Sequence, residues 1–568
     1  MKKKAASSMS KRRDDGDTMT YPSPKRRRIS QTSDYLSFLS DEVLLHILSY
    51  LPIPALLKCQ RVSRRFHTLA GDSELWKRQY YSRWVRPRAR RLPRVRRATP
   101  QLSRLEYSPK VSTWLDHSHL AREGSNTNWK KQYRLRHNWS KGICRVTAVE
   151  LPQSPQPPIL VQFCAGLVFV ADSAHGLRVW HADNTNSCLA SVPFTNATTQ
   201  ASIVPTSLKA TYCSQQNVAR IAVGFKSGCF SVYNMDIRAL RLKLGLTYTT
   251  STDRAITGIA LSFPYILMVS QCNVLSLFGI QTINENSDHN PVELMEKAYI
   301  LATLKAESIL APMSLSVRVA GSEIIASIAY SFYHIGCGWS IGVQELHFNR
   351  GGQQISSRLT TTVDCQYGAI PLRPSSRVSD EQQLSLSSDL YGWPTGPSIL
   401  HRQPPTSISY SHPYLLTSHA DNTLTVYLVV STTTNLHVKG GQRLWGHTTS
   451  VAAVQVGDHG KAVSVSSRGD EIRIWELEPL ISYFGTQRIL EEKSIQVSPE
   501  NKQCRKYENF GVLSGVSRCE VSGDQSSSLE RSYELDGIRG CIGFDDERVL
   551  LLRERNIGNQ LLELYDFT

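Results

Sequence analysis

The sequence contains no uninterrupted apolar run of about 18 residues, the length that a helix needs to cross a bilayer. The strongest candidate, residues 263–280, is interrupted by Ser270, Gln271, Asn273 and Ser276. The opening segment, MKKKAASSMSKRRDD, lacks the apolar stretch that follows the positive charges of a secretory signal. We therefore expect a soluble, intracellular protein without a membrane span.

Closely spaced cysteines are also absent. The 12 cysteines are never closer than 15 residues to one another, so no CxxC pair is available to bind zinc. In a reducing compartment, isolated thiols of this kind are typical of small buried side chains. The sequence has no P-loop, GxSxG or HExxH motif either. We predict a non-catalytic protein with no cofactor and no metal site.

Positive charge is concentrated in the first quarter of the chain. The formal net charge is +17, but residues 1–145 contain 33 Lys and Arg against 11 Asp and Glu. That segment therefore carries +22, and the remaining 423 residues carry −5. Because the large C-terminal portion is slightly acidic, the net charge does not predict nucleic-acid binding by the chain as a whole.

Residues 1–33 combine Lys, Arg, Ser, Asp and Pro with few apolar side chains, which predicts a disordered basic tail. Two cationic clusters stand eleven residues apart, a spacing that resembles a bipartite nuclear import signal. The clusters consist of Lys11, Arg12, Arg13, Lys25, Arg26, Arg27 and Arg28. Import would place the protein in the nucleus as well as the cytoplasm; the alternative is a solvated basic tail.

Residues 34–82 have helical periodicity. Ser40 is a suitable N-cap, and the two acids behind it suit the start of a helix. Pro52 and Pro54 are expected to end this helix before a second begins at Ala55. The apolar stripe of the first helix consists of Leu44, Leu45, Ile47, Leu48 and Leu51. A third helix would complete a unit so small that it leaves apolar surface for a partner. The alternative is a helical hairpin packed inside a larger domain.

This segment resembles an F-box, the three-helix unit that docks on the Skp-type adaptor of cullin-RING ubiquitin ligases. The family usually has Leu-Pro where this chain has Leu39-Ser40, and Ser40 can cap the helix instead. The resemblance implies adaptor binding by Leu39, Ser40, Glu42, Leu45, Ile47, Leu48, Leu51, Pro54, Leu56, Val62, Phe66 and Trp76.

Residues 83–142 are predicted to be a linker. Eight arginines lie between Arg83 and Arg97, where two prolines disfavour a regular helix. This arm could contact nucleic acid or an acidic partner, but Trp84 is its only aromatic residue, which favours a solvated linker. The run from Trp129 to Gly142 is similar to the helical linker of F-box/WD-repeat proteins.

From residue 143 onward, short apolar runs alternate with Gly, Asn, Asp and Ser, which predicts antiparallel strands. Aromatic residues end alternating strands at Trp180, Tyr233, Phe278, Tyr427, Trp475 and Tyr565. The segment from Gly446 to Trp475 resembles a WD40 repeat, one blade of a β-propeller. This resemblance implies a structural, non-catalytic hydrogen-bonded tetrad of His447, Ser466 or Ser467, Asp470 and Trp475.

The spacing of the strand-ending aromatics predicts seven blades, with eight as the alternative. One blade between Phe278 and Tyr427 is assigned to residues 324–348. Polar stretches at 351–405 and 491–528 are interpreted as loops inserted between blades, and the second could instead contain the eighth blade. The fold class is therefore multidomain: a small all-α F-box at 34–82, a linker, and an all-β WD40-like propeller at 143–568.

F-box/WD proteins are substrate receptors, so the resemblance implies that the propeller presents a substrate for ubiquitination and proteasomal degradation. Some relatives bind phosphorylated peptides through arginines on the blades. Of the two positions compared, Ala452 departs from that pattern and Arg468 matches it, which makes Arg468 a candidate substrate-binding residue. The alternative is a nuclear propeller scaffold whose arginine arm binds nucleic acid or acidic partners. The F-box favours the receptor, because a scaffold has no need of an apolar docking unit.

Overall fold

A computed structural model gives the fold. The residues it describes are 35–36, 38–86, 127–151, 159–182, 184–194, 203–213, 215–249, 254–283, 295–305, 309–366, 399–432, 435–457, 460–477, 494–499, 542–555 and 559–568. None of the helices within these ranges is long and apolar enough to span a bilayer. The chain divides into two compact units, Met1–Leu75 and Trp76–Thr568.

The first unit is a small helical domain, as predicted. Its helices are α1 Asp41–Leu48, α2 Ile53–Cys59, α3 Arg64–Leu69 and the beginning of α4 Ser73–Tyr80. Its core consists of Leu44, Leu48, Leu56, Leu69, Ala70 and Leu75. The boundary between the two units falls inside α4.

Local signals set the ends of these helices. Helix α2 begins at Ile53, two residues before the predicted start, and places Pro54 in its first turn. A proline is tolerated there because the first N–H groups of a helix have no intrahelical acceptor. At the start of α3, the Ser63 side chain accepts a hydrogen bond from the backbone N–H of Phe66 at 3.2 Å.

The second unit contains a β-propeller of seven sheets, which confirms the predicted blade count. Blade 1 consists of β2 Leu160–Cys164, β3 Leu167–Asp172, β4 Gly176–His181 and β5 Asn184–Val192. Blade 2 consists of β6 Pro205–Cys213, β7 Val218–Phe225, β8 Phe230–Asp236 and β9 Arg241–Tyr248. Blade 3 consists of β10 Ile256–Ser262, β11 Tyr265–Ser270, β12 Val274–Ile283 and β13 Met295–Lys305. Blade 4 consists of β14 Leu310–Ala320, β15 Glu323–His334, β16 Gly338–Asn349 and β17 Gln354–Thr361. Blade 5 consists of β18 Ser407–Ser411, β19 Tyr414–Ser418, β20 Leu424–Ser431 and β21 Leu436–Leu444. Blade 6 consists of β22 Val451–Val456, β23 Lys461–Ser466, β24 Ile472–Glu476 and β25 Ile495–Gln496.

Blade 7 closes the ring with both ends of the propeller sequence. It consists of β27 Ile542–Phe544, β28 Arg548–Arg555, β29 Asn559–Asp566 and β1 Ile143–Leu151, with β26 Ser498–Pro499 at the outer edge. Strand β1 pairs antiparallel with β29 from Arg145↔Asp566 to Leu151↔Gln560. The first strands of neighbouring blades contact one another around the ring, and β27 contacts β2. Closure removes most unpaired sheet edges from the centre of the fold.

The hydrophobic core of the propeller is distributed between the blades. Seven apolar clusters lie one at each interface between adjacent blades. Inner strands are consequently covered on both faces, and all six residues of β3 are buried. This explains why the sequence shows short continuous apolar runs in addition to alternating ones.

Two predicted insertions contain blade strands. The stretch 351–405 contains strand β17 and the short helix α6 Thr362–Gln366. Strand β17 pairs with β16 and is the outer strand of blade 4, so this part of the stretch belongs to the blade. Strands β25 and β26 lie in the stretch 491–528. The polar composition of these outer strands resembles a loop because one of their edges faces solvent. Residues 367–398 and 500–528 are outside the described residues.

Helix α5 Trp129–Lys141 packs on blades 6 and 7. The ring of Trp139 stacks on Phe567 at a centroid distance of 4.1 Å, and its Nε1–H donates to the carbonyl oxygen of Asp546 at 2.8 Å. Gly142 ends the helix with φ = 69°, where a Cβ atom would lie 2.1 Å from the carbonyl oxygen of Gln496. A glycine is required there on both conformational and steric grounds.

Candidate functional site

The predicted adaptor-binding residues of the first unit divide into buried and exposed groups. Leu48 and Leu56 lie in the helical core, so their side chains hold the unit together. Leu39, Leu45, Leu51 and Phe66 are partly buried against that core. The exposed members are Ser40, Glu42, Ile47, Pro54 and Val62. These five are the predicted positions whose side chains are available to a partner.

Helix α1 carries two apolar stripes rather than one. Leu44 and Leu48 are buried, whereas Val43, Ile47 and Tyr50 are exposed. Positions 43, 47 and 50 are spaced i, i+4 and i+7, so they share one face of the helix and its C-terminal turn. Val43 and Tyr50 are not among the residues predicted to bind the adaptor, although this second i, i+4, i+7 pattern is visible in the sequence.

Exposed apolar side chains continue beyond α1. Val62 is 70% exposed and Leu57 is 44% exposed. We call Val43, Ile47, Tyr50, Leu57 and Val62 the F-box apolar surface. A unit of this size that leaves these side chains in solvent, in addition to Tyr35, Leu36 and Phe38, has the character of a protein-docking surface.

Trp76, also predicted to bind the adaptor, belongs to the second unit, where it is buried. Its ring packs edge-on against Tyr133 of α5 at a centroid distance of 5.4 Å. Arg83 is in the same cluster, where its Nη1 donates to the Tyr133 hydroxyl at 2.6 Å. Trp76 and Arg83 therefore both pack against α5. The Trp76 side chain, predicted to bind the adaptor, is buried there, and Arg83, predicted to belong to a solvated arm, is held by Tyr133. Residues 87–100 of the arginine arm are outside the described residues.

In blade 6, a buried hydrogen-bond chain includes two of the four predicted tetrad residues. Trp475 Nε1–H donates to Ser464 Oγ at 2.8 Å, and Ser464 Oγ lies 2.6 Å from His447 Nε2. His447 Nδ1 faces Glu471 Oε2 at 3.4 Å. Burial lowers the pKa of His447 to about 4, so its ring is neutral near pH 7.

The serine and the acid of the predicted tetrad differ from those in the structure. Ser466 lies at the end of β23 and donates to Asp470 Oδ1 at 2.6 Å, within the turn that follows. Ser464 lies two residues deeper on the strand, within reach of the Trp475 indole, and Glu471 takes the place of Asp470 beside the histidine. Because Ser464 and the His447 ring are buried, this set supports the blade and is closed to a substrate.

Blade 5 carries a related histidine pair. The rings of His401 and His419 stack with centroids 3.7 Å apart, and Thr417 Oγ1 lies 2.9 Å from His419 Nε2. Burial lowers the pKa of His401 to about 4 and that of His419 to about 3. Within the described part of the chain, no group of three His, Cys, Asp or Glu side chains could hold a metal ion.

Arg468, the candidate substrate-binding residue, is exposed in the turn between β23 and β24. It forms no ion pair within the described ranges, so its guanidinium is available to an acidic ligand. Neither cluster of the predicted import signal, Lys11–Arg13 and Lys25–Arg28, falls within the described residues.

Family models match most of the chain. The model described as the β-propeller of F-box protein pof12 matches residues 144–568, and an F-box-like model matches residues 41–82. Among solved structures, the chain is similar to the β-propeller domain of Cps50 (Swd1) from Myceliophteria thermophila. The identity is 10%, the match covers 75% of this chain and 100% of the other, and the TM-score is 0.37.

Two curated relatives are themselves named as F-box proteins. F-box protein pof12 of Schizosaccharomyces pombe is 23% identical over 453 residues, which are 78% of this chain and 84% of the relative. An F-box protein of Saccharomyces cerevisiae is 28% identical over 152 residues, which are 26% of this chain and 23% of the relative. With a matching propeller model over three quarters of its length and an F-box before it, the chain belongs to the family of F-box proteins that carry a pof12-type β-propeller.

Proposed function

We propose that this protein is the substrate-recognition subunit of an SCF-type ubiquitin ligase. The F-box docks on the Skp-type adaptor and through it on the cullin, and the propeller holds a protein substrate for ubiquitination and proteasomal degradation. The chain contributes no covalent chemistry; it raises the effective concentration of substrate lysines near the ubiquitin-loaded enzyme. The observation that carries this proposal is the F-box apolar surface on a helical unit of the F-box family.

The size of that surface is consistent with a stable protein contact. Full burial of one large apolar side chain contributes about 1.5–3 kcal/mol relative to leaving it in water. A few such residues in the centre of an interface usually dominate its affinity. Ile47 and Val62 are the best candidates for this role because both are exposed and both belong to the F-box pattern in the sequence.

Nuclear as well as cytoplasmic localisation is part of the proposal, and it rests on the two basic clusters in the first 28 residues. Arg468 is proposed to contact the substrate because its guanidinium is exposed on the propeller. Replacing Arg26–Arg28 with serines is expected to shift a fluorescent fusion out of the nucleus, which microscopy measures directly.

Co-purification with the adaptor and the cullin tests the ligase role. The docking variant is Ile47→Ser combined with Val62→Ser, both exposed, so that the helical core is preserved. The matched control is Ile355→Ser combined with Leu359→Ser, two exposed apolar residues on the outer strand β17 of the propeller. We expect wild type and control to recover both partners, and the docking variant to recover at least about tenfold less adaptor.

Failure of the wild-type chain to recover the adaptor would overturn the ligase proposal. Equal recovery by the docking variant would leave the ligase role in place but would refute the F-box apolar surface as the contact. If the wild-type chain recovered nucleic acid and no adaptor, the scaffold alternative would replace the receptor.

A further inference from the structure

One hairpin of blade 4 is much longer than its counterpart in blade 6. Strands β15 and β16 each have 12 residues, whereas β23 and β24 have 6 and 5. Strand β14 begins opposite Ser331, and β17 ends opposite Gly342. Residues 332–341 therefore extend past both neighbouring strands of their own blade.

The tip of this hairpin is held in a fixed conformation. The backbone N–H groups of Gly336 and Cys337 both donate to His334 Nδ1 at 3.2 Å. The backbone N–H of Trp339 donates to the carbonyl oxygen of His401, in the segment that leads into blade 5, at 2.9 Å. A tip that is already ordered loses little conformational entropy when it binds a partner.

Large apolar side chains cover this tip. Ile335 is 96% exposed, and Tyr333, which is 59% exposed, packs edge-on against Trp339 at a centroid distance of 5.9 Å. Leu400, 45% exposed, lies against the tip, because a Cβ atom on Gly338 would approach its Cδ1 to 3.2 Å.

The apolar surface continues from the tip toward blade 6. Arg443 Nη2 donates to the carbonyl oxygen of Leu400 at 3.4 Å, and its guanidinium lies 5.8 Å from the ring centroid of Trp445. Trp445 is 59% exposed. We define the hairpin surface as Tyr333, Ile335, Trp339, Leu400 and Trp445. Four of these side chains are exposed and Trp339 is half-buried. Exposed apolar side chains of this size at one end of the propeller are unusual for a surface that faces only water.

The charges at this end of the propeller favour an acidic partner. Asp421 already accepts from Thr423 Oγ1 at 2.6 Å, and Asp470 accepts from Ser466 Oγ at 2.6 Å. Arg402, which follows His401, and Arg468 are both exposed and form no ion pair with any described residue. Asp421 also lies 3.9 Å from Arg443 Nη1, whereas the Arg402 and Arg468 guanidinium groups remain available to carboxylates or phosphates of a ligand.

We propose that the hairpin surface docks a linear acidic segment of the substrate, which inserts a large apolar side chain beside Ile335 and Tyr333 and places its acids near Arg402. This inference rests on the proposed substrate-receptor function and deepens it, because it specifies the class of peptide that is recognised. The apolar contact supplies most of the affinity, and the arginine selects acidic peptides over basic ones.

Selection from a phage-displayed library of random linear peptides tests the inference on the full chain. Peptides are selected on the wild-type chain and counter-selected on a variant that combines Tyr333→Ser with Ile335→Ser, which we call the hairpin variant. The control is Ile355→Ser combined with Leu359→Ser, whose side chains are similarly exposed on β17. We expect enriched peptides to share a large apolar residue flanked by Asp or Glu. They should bind the hairpin variant about tenfold more weakly and the control normally.

The charge component has its own readout. Replacing Arg402 with Glu should weaken the selected peptides and reduce the salt dependence of their binding, measured by fluorescence anisotropy. Failure to enrich any peptide, a basic consensus, or equal loss of binding in the control would each overturn the inference. Light scattering that detects a wild-type dimer lost in the hairpin variant would overturn it in favour of a second copy of the chain.

Adaptor co-purification with the same variants separates the two proposals. The hairpin variant should retain the adaptor, because its F-box is unchanged. Adaptor recovery without peptide binding would refute the hairpin inference alone. Peptide binding without adaptor recovery would refute the ligase role and leave the hairpin surface as a peptide-binding site.

Discussion

Blades 4 and 6 satisfy their buried polar groups in opposite ways. In blade 6, the hydrogen bonds that link His447, Ser464 and Trp475 stay within the blade and the loop that precedes it. In blade 4, the fully buried carboxylate of Glu345 reaches outward, because Ser431 Oγ of blade 5 donates to its Oε2 at 2.7 Å. One arrangement stabilises a single blade, and the other connects two blades.

The network around Glu345 has three further members. Arg318 Nη2 of the same blade lies 3.0 Å from Oε1, and the Tyr410 hydroxyl of blade 5 donates to Oε1 at 3.4 Å. Burial, followed by the neighbouring Glu345 carboxylate, raises the pKa of Tyr410 above its usual value, so the phenol remains a donor. His347 Nε2 lies 3.7 Å from Oε2. Blade 4 therefore lacks the WD40 signature yet has its own polar anchor.

The comparison of blades 4 and 6 shows that the WD40 hydrogen-bond signature is one of several ways to stabilise a blade. A conformation with four antiparallel strands and an apolar interface on each face needs only that its buried polar groups have partners. Blade 6 meets that requirement locally, so its sequence shows a recognisable motif. Blade 4 meets it through residues separated by 27 to 86 positions in the chain, which no local motif can display.

Substitution of Glu345 by Ala is expected to give the largest effect. It removes the acceptor of the Arg318 and Ser431 hydrogen bonds and leaves the guanidinium without its carboxylate. Breaking a buried ion pair on one side costs about 3–5 kcal/mol, and the partial exposure of Arg318 favours the lower end. The measurement is the free energy of unfolding from urea titrations.

Glu323→Gln is the matched control for Glu345→Ala. Its carboxylate is 41% exposed and contacts His347 of the same blade, so we expect a change below about 1 kcal/mol. If the two variants were equally stable, the buried network would not be the anchor of blade 4.

A second prediction concerns the hydrogen-bond chain of blade 6. Ser464→Ala leaves both the Trp475 indole N–H and His447 Nε2 without a partner in a buried site. We expect a loss of about 2–3 kcal/mol, since unsatisfied buried polar groups cost about 1–3 kcal/mol each. Asp470→Ala removes an exposed carboxylate, and its effect should be below about 1 kcal/mol. The free energy of unfolding of both variants is measured by urea titration. A larger loss for Asp470→Ala than for Ser464→Ala would support the tetrad inferred from the sequence instead.

The fold was largely predictable from the sequence, whereas the exact site residues were not. Apolar stripes and proline positions located the helical unit, and strand-ending aromatics gave seven blades. The tetrad serine was misassigned because Ser464 and Ser466 occupy the same face of β23, and only the position of the Trp475 indole distinguishes them. Likewise, burial of Trp76 depends on contact with α5, more than fifty residues later, which local periodicity cannot reveal.

Among the variants, the smallest expected effect is a change in how stability depends on pH, because each buried histidine contributes only part of that dependence. His401, His419 and His447 have pKa values of about 4, 3 and 4 in the folded chain, against about 6.5 in an unfolded one. Below pH 6.5 the unfolded chain therefore binds protons that the folded chain excludes. The stability that these groups allow at neutral pH is fully present above pH 6.5 and declines as the pH falls toward 4. Each histidine contributes up to about 1.4 kcal/mol per pH unit in that window.

One carboxyl group opposes this trend. Burial raises the pKa of Asp545 to about 6, so between about pH 4 and 6 the folded chain keeps a proton that the unfolded chain has released. Asp545 thus offsets one of the three histidines. His419→Asn should reduce the loss of stability between pH 6.5 and 5, and Asp545→Asn should increase it, as measured by urea unfolding at each pH. Identical pH profiles for both variants and the wild type would show that the buried histidines of blades 5 and 6 do not set the acid stability. His401 and His447 lie in the segments that precede β18 and β22, the first strands of blades 5 and 6. The corresponding segment before β14 contains no histidine, so blade 4 has no equivalent side chain that adds to this pH dependence.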